Sequence, residues 1–456
     1  MKTLYKAKNI DDSQDMKKRN KIILTILVLP ILVSAQLRNN VNLVATLEPP
    51  KGDELHFGNL TAISGDGNTI VVYGRGIQYN TSIDLKGNSE KVNMKMRGAG
   101  VLVTYKMVRG KPLRIRQLLR GNVPNEFFGN KVSLSFDGKT MAVGSTMAYF
   151  IKNSESDHMN GAMYSSDGCG KVNVYSFDDE NQIWVPKGQE LHGKIYGGTQ
   201  VNTGNIYLPR VISGEGFGQV AISDDGNILA VGTPGHSKGK GLVKTYRFNG
   251  IGWNLMHEIQ SPLPDKSYRF GVRLALSGNG KRLVTAFRAT AENFFMVYDL
   301  ENERWTRKVA GIGKGNSEFD FVVSKKGKFI SAGEKLYKIG ANKKIELVDD
   351  FGENKNIVKI SVDGTKLIVL DRKKQTGNNS PGVVYFYKKS ENGYRQNVNM
   401  VYEGDVISAN EGCSYFLLSS KNLGQFGPPL RLYKVAANFE MFNGPIEIIV
   451  LPAKND

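Results

Sequence analysis

The chain has 456 residues and only two cysteines, Cys169 and Cys413, so no disulfide framework organises it. Whether those two pair is left open by the sequence. Five histidines (His56, His158, His192, His236 and His257) show no H-x-x-x-H or H-E-x-x-H spacing, and neither cysteine belongs to a C-x-x-C pair. Zinc and thiol-redox motifs are therefore missing. There is no G-x-S-x-G elbow and no G-x-x-x-x-G-K-[ST] phosphate loop. Proline is sparse at 15 residues beside 51 glycines, and no stretch past the N-terminus keeps a helical apolar period. What remains is abundant glycine, 19 Tyr, 21 Phe and a net charge of +18, a mixture suited to many short strands and tight turns.

Residues 22–35 read IILTILVLPILVSA, 14 residues without a charge, behind the basic stretch Lys17-Lys18-Arg19-Asn20-Lys21. A short apolar core with a basic flank and a small-residue end is the pattern of a secretory signal. Val33 and Ala35 fall at −3 and −1 if cleavage precedes Gln36, and Met16 offers a second start. The alternative is an uncleaved anchor, but the run is shorter than the ~20 residues of a spanning helix and contains Pro30. The expectation is export of residues 36–456 as one domain, still basic at +14. Asn59, Asn80 and Asn378 stand in N-x-[ST] sequons and become glycosylation candidates in a eukaryotic host.

The exported part repeats. A turn of the form S-x-D-G between apolar runs occurs at 64–67, 135–138, 223–226 and 361–364, with variants at 277–280 and 324–327 and a longer one at 408–412. Asp66-Gly67, Asp137-Gly138, Asp225-Gly226 and Asp363-Gly364 supply the backbone freedom that a tight hairpin needs. Each turn leads into an apolar strand, and an aromatic strand follows, as in VLVTYKM, VNVYSF and LVKTYRF. Three of the next turns lead into Trp184, Trp253 and Trp305. Both markers count seven and alternate, so each unit holds two hairpins. Seven four-stranded antiparallel units in tandem predict an all-β, seven-bladed β-propeller, with six or eight blades as the alternatives. VNLVATLE (41–48) and IEIIVLP (446–452) compete to supply the strand that closes the ring.

Four units carry Phe-Gly before the turn serine: Phe57-Gly58, Phe128-Gly129, Phe217-Gly218 and Phe270-Gly271. Phrases such as FGNKVSLSFDGKTMAVGS resemble the FG-GAP-like, integrin-α-type propeller repeat over nearly all of 41–440. That resemblance implies a blade and no particular activity. It implies no calcium site either, because no D-x-D-x-D-G run is present. Read physically, the Phe packs between blades and the Gly lets backbones approach near the axis.

Catalytic residues, metal ligands and cofactors are not expected from these motifs. Asp178-Asp179-Glu180 reads as a solvated hairpin tip. Long insertions at 74–100, 145–170 and 192–216 leave blades 1 and 2 on one rim, where recognition usually resides. They offer Tyr79, Lys91, Lys95 and Arg97; Tyr149, His158 and Tyr164; and Tyr196, Tyr207 and Arg210, cations interleaved with aromatics that suit a glycan, an anionic polysaccharide or a protein surface. The expected function is non-catalytic binding or adhesion outside the cell. The alternative is an extracellular polysaccharide hydrolase or lyase. Nucleic acid is not expected as a partner, because the positive charge reads as dispersed, and a membrane enters only through residues 22–35 if these stay uncleaved.

Overall fold

The computed structural model describes residues 41–50, 57–58, 60–75, 79–84, 91–96, 98–122, 126–146, 168–194, 199–202, 207–210, 214–263, 269–288, 293–313, 321–340, 344–352, 355–371, 382–402, 405–419 and 430–435. Seven antiparallel sheets follow one another along the chain. Blade 1 consists of Leu60–Ile63, Thr69–Gly74, Val101–Val108 and Lys111–Arg120. Blade 2 holds Lys131–Leu134, Thr140–Ser145, Lys171–Asp178 and Ile183–Pro186, with Leu191–His192 returning to its third strand. Blade 3 holds Gln219–Ile222, Ile228–Thr233, Leu242–Phe248 and Trp253–Gln260. Blades 4, 5 and 6 repeat the same order from Arg273, Phe321 and Lys355. Blade 7 takes three strands from the C-terminal part, Asp405–Ala409, Tyr415–Ser419 and Leu430–Val435. Its outermost strand is Val41–Leu47, paired antiparallel to Leu430–Val435. The first strands of successive blades touch all the way round, and those of blades 7 and 1 meet, so the ring is closed. Of the two candidates for the closing strand, 41–48 fills the place; 446–452 lies outside the described residues.

The S-x-D-G turn is explained by its side chains. In blade 2, Ser135 Oγ donates to Asp137 Oδ1 at 2.7 Å and accepts from Thr140 N–H at 2.9 Å. Asp137 Oδ1 in turn accepts from Lys139 N–H at 2.9 Å, and Gly138 takes φ +65°. Ser361, Asp363 and Gly364 repeat this in blade 6. In the variant turn of blade 4, Asn279 replaces the aspartate with the same bonds. The seventh turn differs from the expectation of a longer 408–412 loop. Asn410 takes the serine's place, accepting from Tyr415 N–H, and Cys413 takes the glycine's place at φ +52°. The turn is thus four residues, 410–413. It was hidden because Asn410 does the serine's hydrogen bonding and a non-glycine residue occupies the left-handed position.

Seven apolar clusters lie between the blades, one for each pair of neighbours. The second strands TIVVYG, TMAVGS and ILAVGT are buried at every residue because a neighbouring blade covers each face. The Phe of each Phe-Gly pair belongs to these seams: Phe57, Phe128, Phe217 and Phe270 are all buried between their own blade and the preceding one. Gly58, Gly129, Gly218 and Gly271 donate their N–H to the ends of the second strands, at the start of the first strand, and a Cβ on Gly144 or Gly232 would lie 1.9 or 2.0 Å from the carbonyl of Gly218 or Gly271 in the next blade.

Behind three of the four Phe residues sits a second glycine that the sequence did not single out. A Cβ on Gly100, Gly170 or Gly241 would meet the carbonyl oxygen of Phe128, Phe217 or Phe270 at 2.2, 1.8 and 2.2 Å. These glycines also hold φ of +91°, +76° and +87°. Gly110, at φ +77°, has nothing within 4 Å and serves as a control. Gly170→Ala is expected to lower the unfolding free energy by about 3 kcal/mol, against about 1 kcal/mol for Gly110→Ala, where only backbone strain operates. Equal losses in denaturant unfolding would remove the clash from the account.

A polar clasp joins the outer strands. Gln117 accepts from Trp184 N–H at 2.6 Å and donates to Trp184 C=O at 3.0 Å. Gln189 does the same to Trp253 at 2.8 and 2.7 Å. Strand register puts His257 in this position facing blade 4, and its buried Nδ1 has no hydrogen-bond partner among the described residues. His257→Gln should restore the two-bond clasp to Trp305 and raise stability by about 1 kcal/mol. An unchanged or lower melting temperature would contradict that.

Candidate functional site at the loop rim

Up-and-down blades send the 1–2 and 3–4 turns to one rim, and the 2–3 links and blade-to-blade links to the other. The three long insertions all leave from the second, loop rim, over blades 1 to 3. Two of them are more regular than expected. Tyr79–Asp84 pairs with Lys91–Met96, and Thr199–Asn202 pairs with Tyr207–Arg210, as separate two-stranded sheets. Lys91 stands opposite Asp84 and Lys95 opposite Asn80; Tyr207 stands opposite Asn202 and Arg210 opposite Thr199. Of the expected site residues, Arg97, Tyr149, His158, Tyr164 and Tyr196 lie outside the described residues, as do the sequon residues Asn59 and Asn378. Asn80 lies within the first hairpin.

The roots of these insertions rest on two buried carboxylates that the sequence reading passed over. Glu126 and Glu215 each stand two residues before a seam phenylalanine, in Glu-x-Phe-Gly, and both are fully buried. Glu126 accepts from Asn122 N–H at 2.9 Å and pairs with Lys171 at 2.7 Å. Glu215 accepts from Lys194 N–H at 2.9 Å, meets His236 Nδ1 at 2.7 Å and lies 3.3 Å from Lys244 Nζ. A carboxylate in such a place is tolerable because cations and backbone N–H groups surround it. Lys171 also reaches Glu190, whose other oxygen lies 3.1 Å from His192 Nε2. Burial holds the His192 imidazole below its usual range, against the upward pull of Glu190, and Lys171 adds to the lowering. The repeated Glu-x-Phe-Gly at 126–129 and 215–218 was the signal for these anchors. His236 opens a single helical turn, His236–Gly239, in which Ser237 and Lys238 are left-handed at φ +49° and +62°. Two consecutive non-glycine residues there store strain at the rim.

The opposite, turn rim is bridged by contacts between its turns. The second residue of each S-x-D-G turn faces the axis, and backbone bonds link the turns in series: Phe136 N–H to Asp224 C=O at 3.1 Å, Asp224 N–H to Gly278 C=O at 2.8 Å, Gly278 N–H to Lys325 C=O at 2.7 Å. Val362 N–H to Glu411 C=O, Glu411 N–H to Gly65 C=O and Asp66 N–H to Phe136 C=O link blades 6, 7, 1 and 2 in the same way. Six of the seven neighbouring pairs of turns are thus joined in a collar, and among the described residues no such bond joins the turns of blades 5 and 6. Side chains cross inside it. Lys325 Nζ of blade 5 lies 3.2 Å from the ring centre of Phe136 in blade 2 and 3.0 Å from Asp224 of blade 3. Gly65 and Gly278 make this possible, because a Cβ there would lie 2.1 Å from the Phe136 ring and 1.9 Å from the Asp224 carboxylate. Burial raises the Asp224 carboxyl above its ordinary range, and Lys325 pulls it back.

Asp178-Asp179-Glu180 is the hairpin tip that was expected. Asp178 accepts from the N–H groups of Glu180 and Asn181, with its carboxyl lowered chiefly by the Asn181 side chain, and Asp179 pairs with Lys139. Among the described residues no group of three metal-binding side chains comes together. Cys169 and Cys413 are both buried and not joined in a disulfide, and burial pushes the Cys413 thiol up to about 12.

Neither a protein-family model nor a curated protein matches the chain. Solved structures do. A structure titled Kuenenia stuttgartiensis hydrazine synthase is 11% identical with a TM-score of 0.47, over 87% of this chain and 100% of that one. The Dos1 propeller is 11% identical at 0.46, over 90% and 98%. The Pseudomonas aeruginosa periplasmic gluconolactonase PpgL is 14% identical at 0.43, over 78% and 99%.

The Lys325–Asp224 contact gives a pH-dependent expectation. Lys325→Met keeps the bulk but strands the Asp224 charge, so stability should fall by about 1–2 kcal/mol at pH 7. Because the cost belongs to the ionised carboxylate, most of the difference should vanish by about pH 4 as Asp224 takes up its proton. A loss that is the same at both pH values would contradict the ion pair.

Proposed function

We propose that this chain is a secreted or surface-displayed propeller that recognises an anionic glycan through the loop rim of blades 1 to 3 and performs no chemistry there. The observation that carries this reading is the asymmetry of the ring. All three large insertions leave one rim in adjacent blades, while the other rim is bridged by turn-to-turn bonds and crossed by the Lys325–Phe136–Asp224 contacts. Side chains crossing near the axis at the turn rim favour ligand approach from the loop rim. The paired carboxylates Glu126 and Glu215 support the same reading, since each is committed to holding a loop root rather than offered to a substrate. Kinship with FG-GAP-like repeats and export through residues 1–35 belong to this proposal and rest on the sequence. Among the described residues no helix is long and apolar enough to cross a membrane, and residues 1–40 are not among them.

Replacing Lys91, Lys95 and Arg97 with Ser is expected to weaken binding to a sulfated polysaccharide and to flatten its salt dependence. Binding on glycan arrays at two salt concentrations measures both. Unchanged binding would remove this hairpin from the site, and turnover of a bound glycan would replace the reading with a polysaccharide hydrolase or lyase.

A further inference from the structure

Half of the net positive charge of this protein lies in one segment. Residues 75–120 hold eleven Lys and Arg against two acids, a net +9 of the whole chain's +18. That segment is blade 1 from the end of its second strand, with the inserted hairpin, to its outermost strand. Lys111–Arg120 is the edge of the sheet, paired on one side only to Val101–Val108. Ile115 points inward and is buried, which turns Arg114 and Arg116 outward on either side of it; both are exposed, as are Arg109 and Lys111 at the preceding turn. Alternate residues of a strand lie about 6.6 Å apart, so Arg114 and Arg116 stand side by side on one face, with Lys111 and Arg109 further along toward the turn. Among the described residues no carboxylate lies within ion-pair distance of Arg109, Lys111, Arg114 or Arg116. In blade 4, by contrast, the outer-strand Lys308 is paired with Glu301.

Edge strands often carry charge to prevent sheet-to-sheet pairing. That need does not by itself account for this strand, because four of the other six blades leave their outer strands without Lys or Arg. Blade 4 carries Arg304, Arg307 and Lys308 there, and blade 6 carries Arg395. Val41–Leu47 and Ile183–Pro186 contain no charge, Trp253–Gln260 contains no Lys or Arg, and Ile345–Asp350 is acidic. The ridge is also continuous with the loop rim. Gly121 N–H, just past the edge strand, donates to Gly100 C=O at 3.0 Å, at the root of the insertion that carries Lys91 and Lys95. The cations therefore run from that hairpin's root down the side of the ring.

We infer that the outer edge of blade 1 is a docking ridge for an anionic polysaccharide, with Arg109, Lys111, Arg114 and Arg116 meeting its sulfate or carboxylate groups. Arginine suits this work because its planar fork binds such oxyanions bidentately. A polysaccharide is favoured over a single-stranded nucleic acid because residues 109–120 contain no aromatic residue on which a base would stack. The inference rests on the reading that the ligand is an anionic glycan, but it places the contact on the edge rather than in the loops.

The test measures binding of the full-length protein to immobilised heparin, dextran and a single-stranded oligonucleotide across a salt series. It compares wild type, an edge variant (Lys111→Ser, Arg114→Ser, Arg116→Ser), its Lys111→Arg, Arg114→Lys, Arg116→Lys counterpart and a hairpin variant (Lys91→Ser, Lys95→Ser). The expected result is heparin binding by wild type, at least a tenfold loss in the edge variant with a shallower salt slope, and binding largely kept in the charge-conserving counterpart. Matching thermal melts show that the exposed substitutions leave the fold intact. An edge variant that binds heparin like wild type overturns the ridge while leaving the glycan reading standing. A wild type that binds no heparin overturns both, and preference for the oligonucleotide overturns the polysaccharide assignment.

Discussion

Everything in this ring depends on its last seam. Seven twisted sheets bury their faces only if the seventh meets the first, and here that junction is made by strand Val41–Leu47 completing a blade whose other strands lie some 370 residues further on. The apolar cluster at that place joins Leu47, Leu430 and Leu432 to Phe57, Ile70 and Val72 of blade 1. Thr61 and Ser408 add a hydroxyl hydrogen bond of 2.8 Å between the first strands of blades 1 and 7. Loop-closure entropy grows only slowly with length, so a seam of this kind is compatible with a long chain. Once it forms, each blade is covered on both sides, and apolar second strands such as TIVVYG become possible.

Closure also separates the two rims. Near the axis, short S-x-D-G turns leave room for little but their second residue, and side chains at those places cross between blades. On the other rim the chain is free to grow, and it does so most over blades 1 to 3. Glu126 and Glu215 anchor that growth, tying loop roots to Lys171 and Lys244 on the third strands. Recognition loops on a rigid base are a common division of labour. The strain at Ser237 and Lys238 sits on the same side, directly beside the Glu215 anchor.

The fold was legible because its grammar is local. Ser135, Asp137 and Gly138 bond to one another within a few residues, so the same three letters announce the same hairpin in each blade where they occur. Legibility failed where a different residue does the same work, as Asn410 and Cys413 do in the seventh turn. It failed again for features made by two distant segments. Gly170 is explained only by the carbonyl of Phe217, Glu215 only by Lys244 and His236, and Lys325 only by Phe136 across the axis. The loop residues that the sequence proposed for binding are largely insertions whose spacing carries no repeat, and a period cannot place what does not recur. The concentration of charge in blade 1 was countable from the start, but its outward aim became visible only with the buried Ile115 between two arginines.

The most direct test of this account is amide hydrogen exchange across the whole chain with and without bound heparin. The account predicts slowed exchange on ligand addition in blade 1 from residue 79 to 121 and at the loop roots near 168–170 and 214–217, with the collar at 135–138, 223–226 and 324–327 unchanged. Protection centred on the collar instead, or spread evenly over all seven blades, would contradict a ring with one bridged and one receiving rim.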